Sequence, residues 1–202
     1  MPAEELRVDE TIIVVTGAAA IPDEVVAALP RERIVLAADG ALDHALAAGL
    51  LPAGLIGDLD SVSAKGLAWA EEHATISRHE PDKDVTDTEL ALAMAADLNP
   101  DRLILIGGGA GRLDHIFAAI GALGRPTMTS VPLLEAWWER HHLYVVHGPG
   151  RATVDIAVGT TLSLLATHGP CTGVAISGVD WPLDDVELAP CLLYTSPSPR
   201  DS

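Results

Sequence analysis

Three acid-rich clusters mark the first 125 residues: Gly57-Asp58-Leu59-Asp60-Ser61, Asp82-Lys83-Asp84-Val85-Thr86-Asp87 and Gly111-Arg112-Leu113-Asp114-His115. Each follows an apolar run, so carboxylates gather at strand ends, an arrangement that suits a hard divalent cation carrying phosphates. Asp58 and Asp60 are separated by one residue, so an extended segment turns both side chains the same way, where they can share one cation. The competing reading makes one of them the cap of a helix starting near Ser63, which accounts for one carboxylate but not the pair. Asp84 and Asp87, three apart at a helix start, share a face that favours anions. Thr86-Asp87-Thr88-Glu89 also matches a capping box, in which Thr86 and Glu89 only close backbone donors. Lys83, a lone cation among acids, meets a phosphate in one reading and forms a solvated ion pair in the other.

A glycine-rich turn, residues 107–111, follows an apolar run and precedes a helix. The backbone amides of Gly108 and Gly109 can approach phosphate oxygens there, with Arg112 adding a bidentate donor. The turn lacks the Gly-Lys-Ser/Thr ending of a Walker A loop and does not fit GxGxxG. Asp114 and His115 add a carboxylate and a titratable ring, although a histidine here also suits a helix surface. Ala38-Asp39-Gly40 again sets an acid and a glycine at a strand end, with capping and ligand contact equally open for Asp39. Gly17 ends the first apolar run in the same way. Trp137-Trp138 and His141-His142 read as packing at a domain junction, without a catalytic role.

These residues need strands and helices to hold them. Residues 11–17, 33–39, 53–57 and 102–107 are short apolar runs ending in Gly or Asp, as buried parallel strands do. Helical stretches lie between and after them at 23–29, 41–48, 64–72, 88–98 and 113–123. The pattern predicts an α/β domain over 1–125, parallel and doubly wound in the Rossmann-like manner, with ligands outside the carboxyl ends of its strands. After Gly124-Arg125-Pro126 the rhythm changes to short segments, 143–146, 152–156 and 161–165, divided by Gly-Pro turns. That predicts a small all-β sandwich over 126–190. Residues 191–202 turn Ser/Pro-rich, do not read as continuing a sheet, and resemble read-through of a foreign stretch such as a sequencing adaptor.

Composition narrows the partners. The chain has 202 residues, 49% of them hydrophobic, with 12 Lys plus Arg against 29 Asp plus Glu and a formal charge of −17. That is ample for packed cores and leaves no basic face for nucleic acid. An acidic start without a signal-type apolar stretch, and no run of about 20 apolar residues, give no membrane contact and a cytoplasmic expectation. Cys171 and Cys191 fit neither CxxC spacing nor a disulfide scaffold.

Taken in order, Ala38-Asp39-Gly40, Gly57-Asp58-Leu59-Asp60-Ser61, residues 82–90 and Gly111-Arg112-Leu113-Asp114-His115 closely resemble the thiamine pyrophosphokinase family. Ile176-Ser177-Gly178-Val179-Asp180-Trp181-Pro182-Leu183 resembles a strand and turn late in that family's second domain. The resemblance implies a homodimer with sites between subunits, an α/β domain binding ATP and Mg2+, and a β-sandwich domain binding thiamine. The implied reaction moves the diphosphate of ATP to thiamine and releases AMP. Asp58, Asp60 and Asp87 look like the Mg2+-binding and catalytic acids, with Asp39 and Asp114 similar to further active-site acids. Lys83, Thr86 and Arg112 look like phosphate or nucleotide contacts, joined by Gly17, Asp39, Gly40, Ser61, Asp84, Gly108, Gly109 and His115. Two departures stand out. Ala119 occupies the place of a family Asn four residues after His115, and the family's closing strand with its Ser-Asn pair should begin near Pro190, so the resemblance implies a truncated thiamine pocket. Two other readings remain open: a non-catalytic thiamine or nucleotide binder on this fold, and a Mg2+-dependent phosphatase suggested by the Asp58-Leu59-Asp60 pattern.

Overall fold

The computed structural model describes residues 10–17, 19–80, 85–108 and 112–198. They divide into two compact units between Val145 and Val146. In the first, β1 (Thr11–Val15), α1 (Asp23–Ala28), β2 (Ile34–Ala38), α2 (Ala41–Ala47), β3 (Gly54–Gly57), α3 (Ala64–His73), β4 (Thr75–Arg78), α4 (Asp87–Asp97), β5 (Arg102–Gly107) and α5 (Leu113–Leu123) alternate. A 3-10 turn (Pro126–Ser130) then leads to β6 (Leu133–Trp138) and β7 (His141–Val145). The sheet order is β4-β3-β2-β1-β5-β6-β7, parallel throughout except for β7.

β1 is buried along its whole length, as expected of a central parallel strand covered on both faces. Its alternate residues feed two cores. Ile12 and Val14 pack with Leu36, Leu103 and Leu105 beneath Ala91, Leu92 and Ala95 of α4 and Ala119, Ala122 and Leu123 of α5. Ile13 and Val15 pack with Val35, Ile104 and Ile106 against Val25 of α1 and Ala41 and Ala45 of α2. Helices on both faces make the sheet doubly wound, as the sequence predicts. The alanines of α4 let it lie close over β1, β2 and β3 on its way from β4 to β5. That crossing brings its N-terminus to the carboxyl edge of the sheet. Strand succession reverses at β1, whose neighbours are β2 and β5, which marks the crevice where such sheets hold ligands.

The change of rhythm after Gly124 is not where the unit ends. β6 joins β5 in parallel register and β7 folds back on β6, so 126–145 belongs with the sheet. Trp137 stacks on His142 with ring centroids 4.0 Å apart, while Trp138 packs against the core. Buried Glu135 accepts from Arg102 Nη2 at 2.8 Å and pairs with His142 Nε2 at 2.9 Å. The sequence also missed β4, a short polar edge strand.

The second unit contains β8 (Thr161–Leu165), β9 (Cys171–Ile176), β10 (Leu183–Leu188) and β11 (Leu193–Pro197), arranged as two antiparallel pairs, β8 with β11 and β9 with β10. Residues 152–156, which alternate like a strand, form none. The expectation that 191–202 does not continue a sheet is corrected by β11. Its buried Ser196 accepts the Trp181 N–H at 3.0 Å, and Ser198 donates through its N–H to Thr160 O and through its hydroxyl to Ala157 O. Pro197 ends the strand, a position proline tolerates. Both cysteines are free and exposed.

Candidate active site

The site is built where β2 and β3 end and α4 begins. Asp39 N–H donates to Ile56 O at 2.8 Å, carrying the β2–β3 ladder one residue past β2 and setting Asp39 beside Gly57. Asp39 has φ +48° and Leu59 φ +69°, a left-handed backbone that non-glycine residues adopt at a cost of about 1–3 kcal/mol and that clusters at functional sites. Gly57, at φ +148°, makes the approach of the acids possible. A Cβ there would stand 3.0 Å from Asp39 Cβ and 3.1 Å from Asp87 Cγ.

As a result Asp39, Asp58 and Asp87 each bring one carboxylate oxygen within 4.8 Å of the others. Asp87 reaches them from the first turn of α4. That turn is held by the capping box the sequence predicts: Thr86 Oγ1 accepts Glu89 N–H at 3.2 Å, and Glu89 Oε2 accepts Thr86 N–H at 2.7 Å. A hydrogen bond between the Thr16 and Thr88 hydroxyls ties the same turn to the end of β1. Thr86's hydroxyl is thus committed to the cap. Neither Asp58 nor Asp60 caps α3, because Ser63 does so, its Oγ accepting Gly66 N–H at 2.9 Å. Asp58 Oδ1 instead accepts Asp60 N–H at 3.2 Å, folding the loop on itself.

Asp60 lies at the exposed rim of the trio. Asp58 first, then Asp39, a little burial and Asp87 hold its carboxyl above the ordinary aspartate range. Ser61 donates to Asp39 Oδ2 and accepts the Gly40 N–H at 3.1 Å. Asp39 Oδ1 is buried with no hydrogen-bond partner among the described residues. An orphaned carboxylate oxygen, inside a group of acids that repel one another, is the donor set a hard divalent cation satisfies, so the residues fit such an ion.

At the switch point, Gly17 and Gly108 touch. Gly17 has φ +86°, and a Cβ on it would lie 2.8 Å from Gly108 O. Trp138 lies over Gly107, and Glu139 donates its N–H to Gly107 O at 2.9 Å, so the β6–β7 turn walls the glycine-rich end of β5. Arg112 and Asp114 pair through two contacts, Nη2 to Oδ2 at 2.5 Å and Nε to Oδ1 at 3.2 Å, on the exposed first turn of α5. The Arg112 hydrogen bond holds the Asp114 carboxyl below its usual range. His115 is exposed on the same turn. Ala119, in the place of the family's Asn, is buried in the core under α5. Lys83, Asp84 and Gly109, with Asp82, Ala110 and Gly111, lie outside the described residues.

The structure therefore brings together Asp39, Gly40, Asp58, Asp60, Ser61 and Asp87. The sequence pointed to Asp39 as an active-site acid but grouped Asp60, not Asp39, with Asp58 and Asp87, and it did not signal Thr16 and Thr88 as a tie or Asp43, which anchors Ser63. The Asp58-Leu59-Asp60 pattern follows the third strand, whereas a phosphatase of the haloacid dehalogenase type carries it after the first.

Among solved structures, thiamine pyrophosphokinase from Bacillus subtilis superposes with TM-score 0.67 at 19% identity, covering 96% of this chain and 91% of that one. A thiamin pyrophosphokinase family protein from Enterococcus faecalis gives 0.65 at 18%, covering 94% and 89%. At those identities the likeness establishes the fold. In sequence, the thiamine pyrophosphokinase of Bacillus subtilis (strain 168) is 32% identical over 89 residues, which are 44% of this chain and 42% of that relative's length. The family described as "Thiamin pyrophosphokinase, catalytic domain" matches residues 26–134, more than half of the chain. With the acid trio lying inside that matched span, the chain belongs to the thiamin pyrophosphokinase family.

Proposed function

We propose that this protein transfers the β,γ-diphosphate of ATP to the hydroxyl of thiamine, giving thiamine diphosphate and AMP. The convergence of Asp39, Asp58 and Asp87 at the carboxyl edge of the sheet carries the reading. In the transfer, the thiamine oxygen forms a bond to the β-phosphorus, the bond from that phosphorus to the oxygen bridging to the α-phosphorus breaks, and the hydroxyl loses its proton. Little covalent work falls to the protein, so positioning and charge neutralisation supply the rate. A Mg2+ ion held by the acid trio would supply positive charge that offsets the charge of the transferring phosphates.

Asp39, Asp58 and Asp87 would hold the ion, with Asp60 at the rim. Gly17 and Gly108, packed together at the ends of β1 and β5, would present backbone amides to phosphates, and Arg112 a guanidinium near the start of α5, with Lys83, Asp84, Gly109 and His115 as further nucleotide contacts and Thr86 acting through the cap that positions Asp87. Asp87 or Asp114 would accept the hydroxyl proton, and the Arg112 hydrogen bond that holds the Asp114 carboxyl below its usual range weighs against Asp114. The reading extends to a cytoplasmic location and to a homodimer, the latter supported by Leu113 and Phe117, which share an exposed apolar face of α5.

The test is AMP release from ATP, thiamine and Mg2+. Thiamine-dependent AMP, lost in Asp58→Asn, supports the reading. Tight thiamine or nucleotide binding without AMP marks a binder, and phosphate release that needs no thiamine marks a phosphatase.

A further inference from the structure

The loop from Asp58 to Ser63 carries two acids toward a third and a fourth, and those charges repel. Something must hold the loop in place. One anchor is Ser61, bound to Asp39 and Gly40. The other lies at the far end and involves a residue outside every motif named above. Asp43, one helical turn after Asp39 on α2, is half-buried and accepts Ser63 N–H on Oδ2 at 2.8 Å and Ser63 O–H on Oδ1 at 2.6 Å. Ser63 in turn caps α3 through Gly66 N–H. Gly66 leaves room for this contact, since a Cβ there would lie 2.5 Å from Asp43 Oδ1.

We infer that Asp43 is a positioning residue, which through Ser63 fixes the loop bearing Asp58 and Asp60 so that the acids are preorganised for a divalent cation. The inference rests on the reading of Asp39, Asp58 and Asp87 as a Mg2+ site. Both oxygens of Asp43 accept from Ser63, and Asp43 is not among the acids whose oxygens converge, so it acts through the loop. Chelating side chains set within a fraction of an ångström by their supporting shell bind ions more tightly than the same side chains on a free loop.

The experiment is a titration of the full chain with Mn2+ alone, without nucleotide, followed by the free-ion electron paramagnetic resonance signal well below the unfolding temperature. Asp43→Ala and Ser63→Ala should each weaken Mn2+ binding about tenfold. Ser63→Ala leaves net charge unchanged, so its loss cannot come from charge. The double variant should bind no worse than either single one, because both break the same link. Ser63→Thr, which keeps the hydroxyl, should restore affinity. Asp58→Asn serves as the reference for loss of a ligand. If Asp43→Ala and Ser63→Ala bind Mn2+ as the unaltered protein does while Asp58→Asn does not, the positioning role is overturned and the metal reading stands. If the unaltered protein binds no Mn2+, both fall.

Discussion

Ser61 hydrogen-bonds to Asp39 Oδ2, while Asp39 Oδ1 is buried with no partner among the described residues, in a carboxylate that lies beside those of Asp58 and Asp87. One oxygen of this carboxylate is therefore fixed and the other is available as a ligand. A buried acceptor without a partner costs about 1–3 kcal/mol, and a bound cation would recover it.

The first prediction concerns that division. Asp39→Asn keeps the shape but removes the charge, and should lower Mg2+-dependent AMP formation by about 100-fold or more. Ser61→Ala should cost about tenfold, since Oδ2 loses a partner while the ligand oxygen remains. Steady-state rates across a Mg2+ titration separate the two. Equal rates for Asp39→Asn and the unaltered protein would remove Asp39 from the site.

Gly57→Ala tests whether the acids need their close approach. The substitution places a methyl 3.0 Å from Asp39 Cβ and 3.1 Å from Asp87 Oδ1, on a backbone at φ +148°. A loss of about 1–3 kcal/mol in denaturant unfolding is expected, together with weaker Mg2+ binding. Loss of stability with undiminished Mg2+ affinity would show that the trio adapts and that Gly57 serves the fold alone.

Much of this arrangement is legible locally. The Thr86–Glu89 cap, the ends of α2, α4 and α5 and the buried run of β1 follow from residue type and spacing, because each depends on neighbours within a few positions. Asp39 is different. Its meeting with Asp87 depends on β3, β2 and β1 lying side by side and on α4 crossing them, a long-range fact that no spacing encodes. β6 misled for a related reason. Its Leu-Leu-Glu-Ala-Trp-Trp run follows a break at Gly124 that looks like a boundary, yet Leu134 and Ala136 complete the core beneath α5. The Ser/Pro-rich stretch misled through composition, since Ser196 and Ser198 find backbone partners and can be buried.

Glu135 gives the pH prediction. Burial alone would raise its carboxyl, but the hydrogen bonds from His142 and Arg102 outweigh burial and hold it below the usual glutamate range. A carboxyl lowered in the folded state contributes stability that is fully present above its unfolded pKa and is lost as pH falls through the folded one. The protein should therefore lose this contribution below about pH 4.5. Glu135→Gln should flatten that part of the acid limb in melting curves measured against pH. Glu135→Ala should cost about 3 kcal/mol near neutrality by leaving Arg102 without its buried partner. An unchanged acid limb in Glu135→Gln would place the proton uptake elsewhere.

The last prediction concerns association. Leu113 is 63% and Phe117 66% exposed, one turn apart on α5. In a chain of charge −17, copies repel, so a dimer needs apolar area to offset that field. Burying a phenylalanine contributes about 1.5–3 kcal/mol, and twofold symmetry would count the contribution twice. Phe117→Asp replaces that gain with a charge that must be desolvated, and should convert a dimer to monomer in sedimentation velocity at micromolar concentration while leaving the far-ultraviolet spectrum unchanged. The dependence on salt adds a second check. Screening the acidic surfaces should tighten self-association of the unaltered chain and do little for Phe117→Asp. A monomer for the unaltered chain at every salt concentration, or a dimer that survives Phe117→Asp, would rule out this face as the contact.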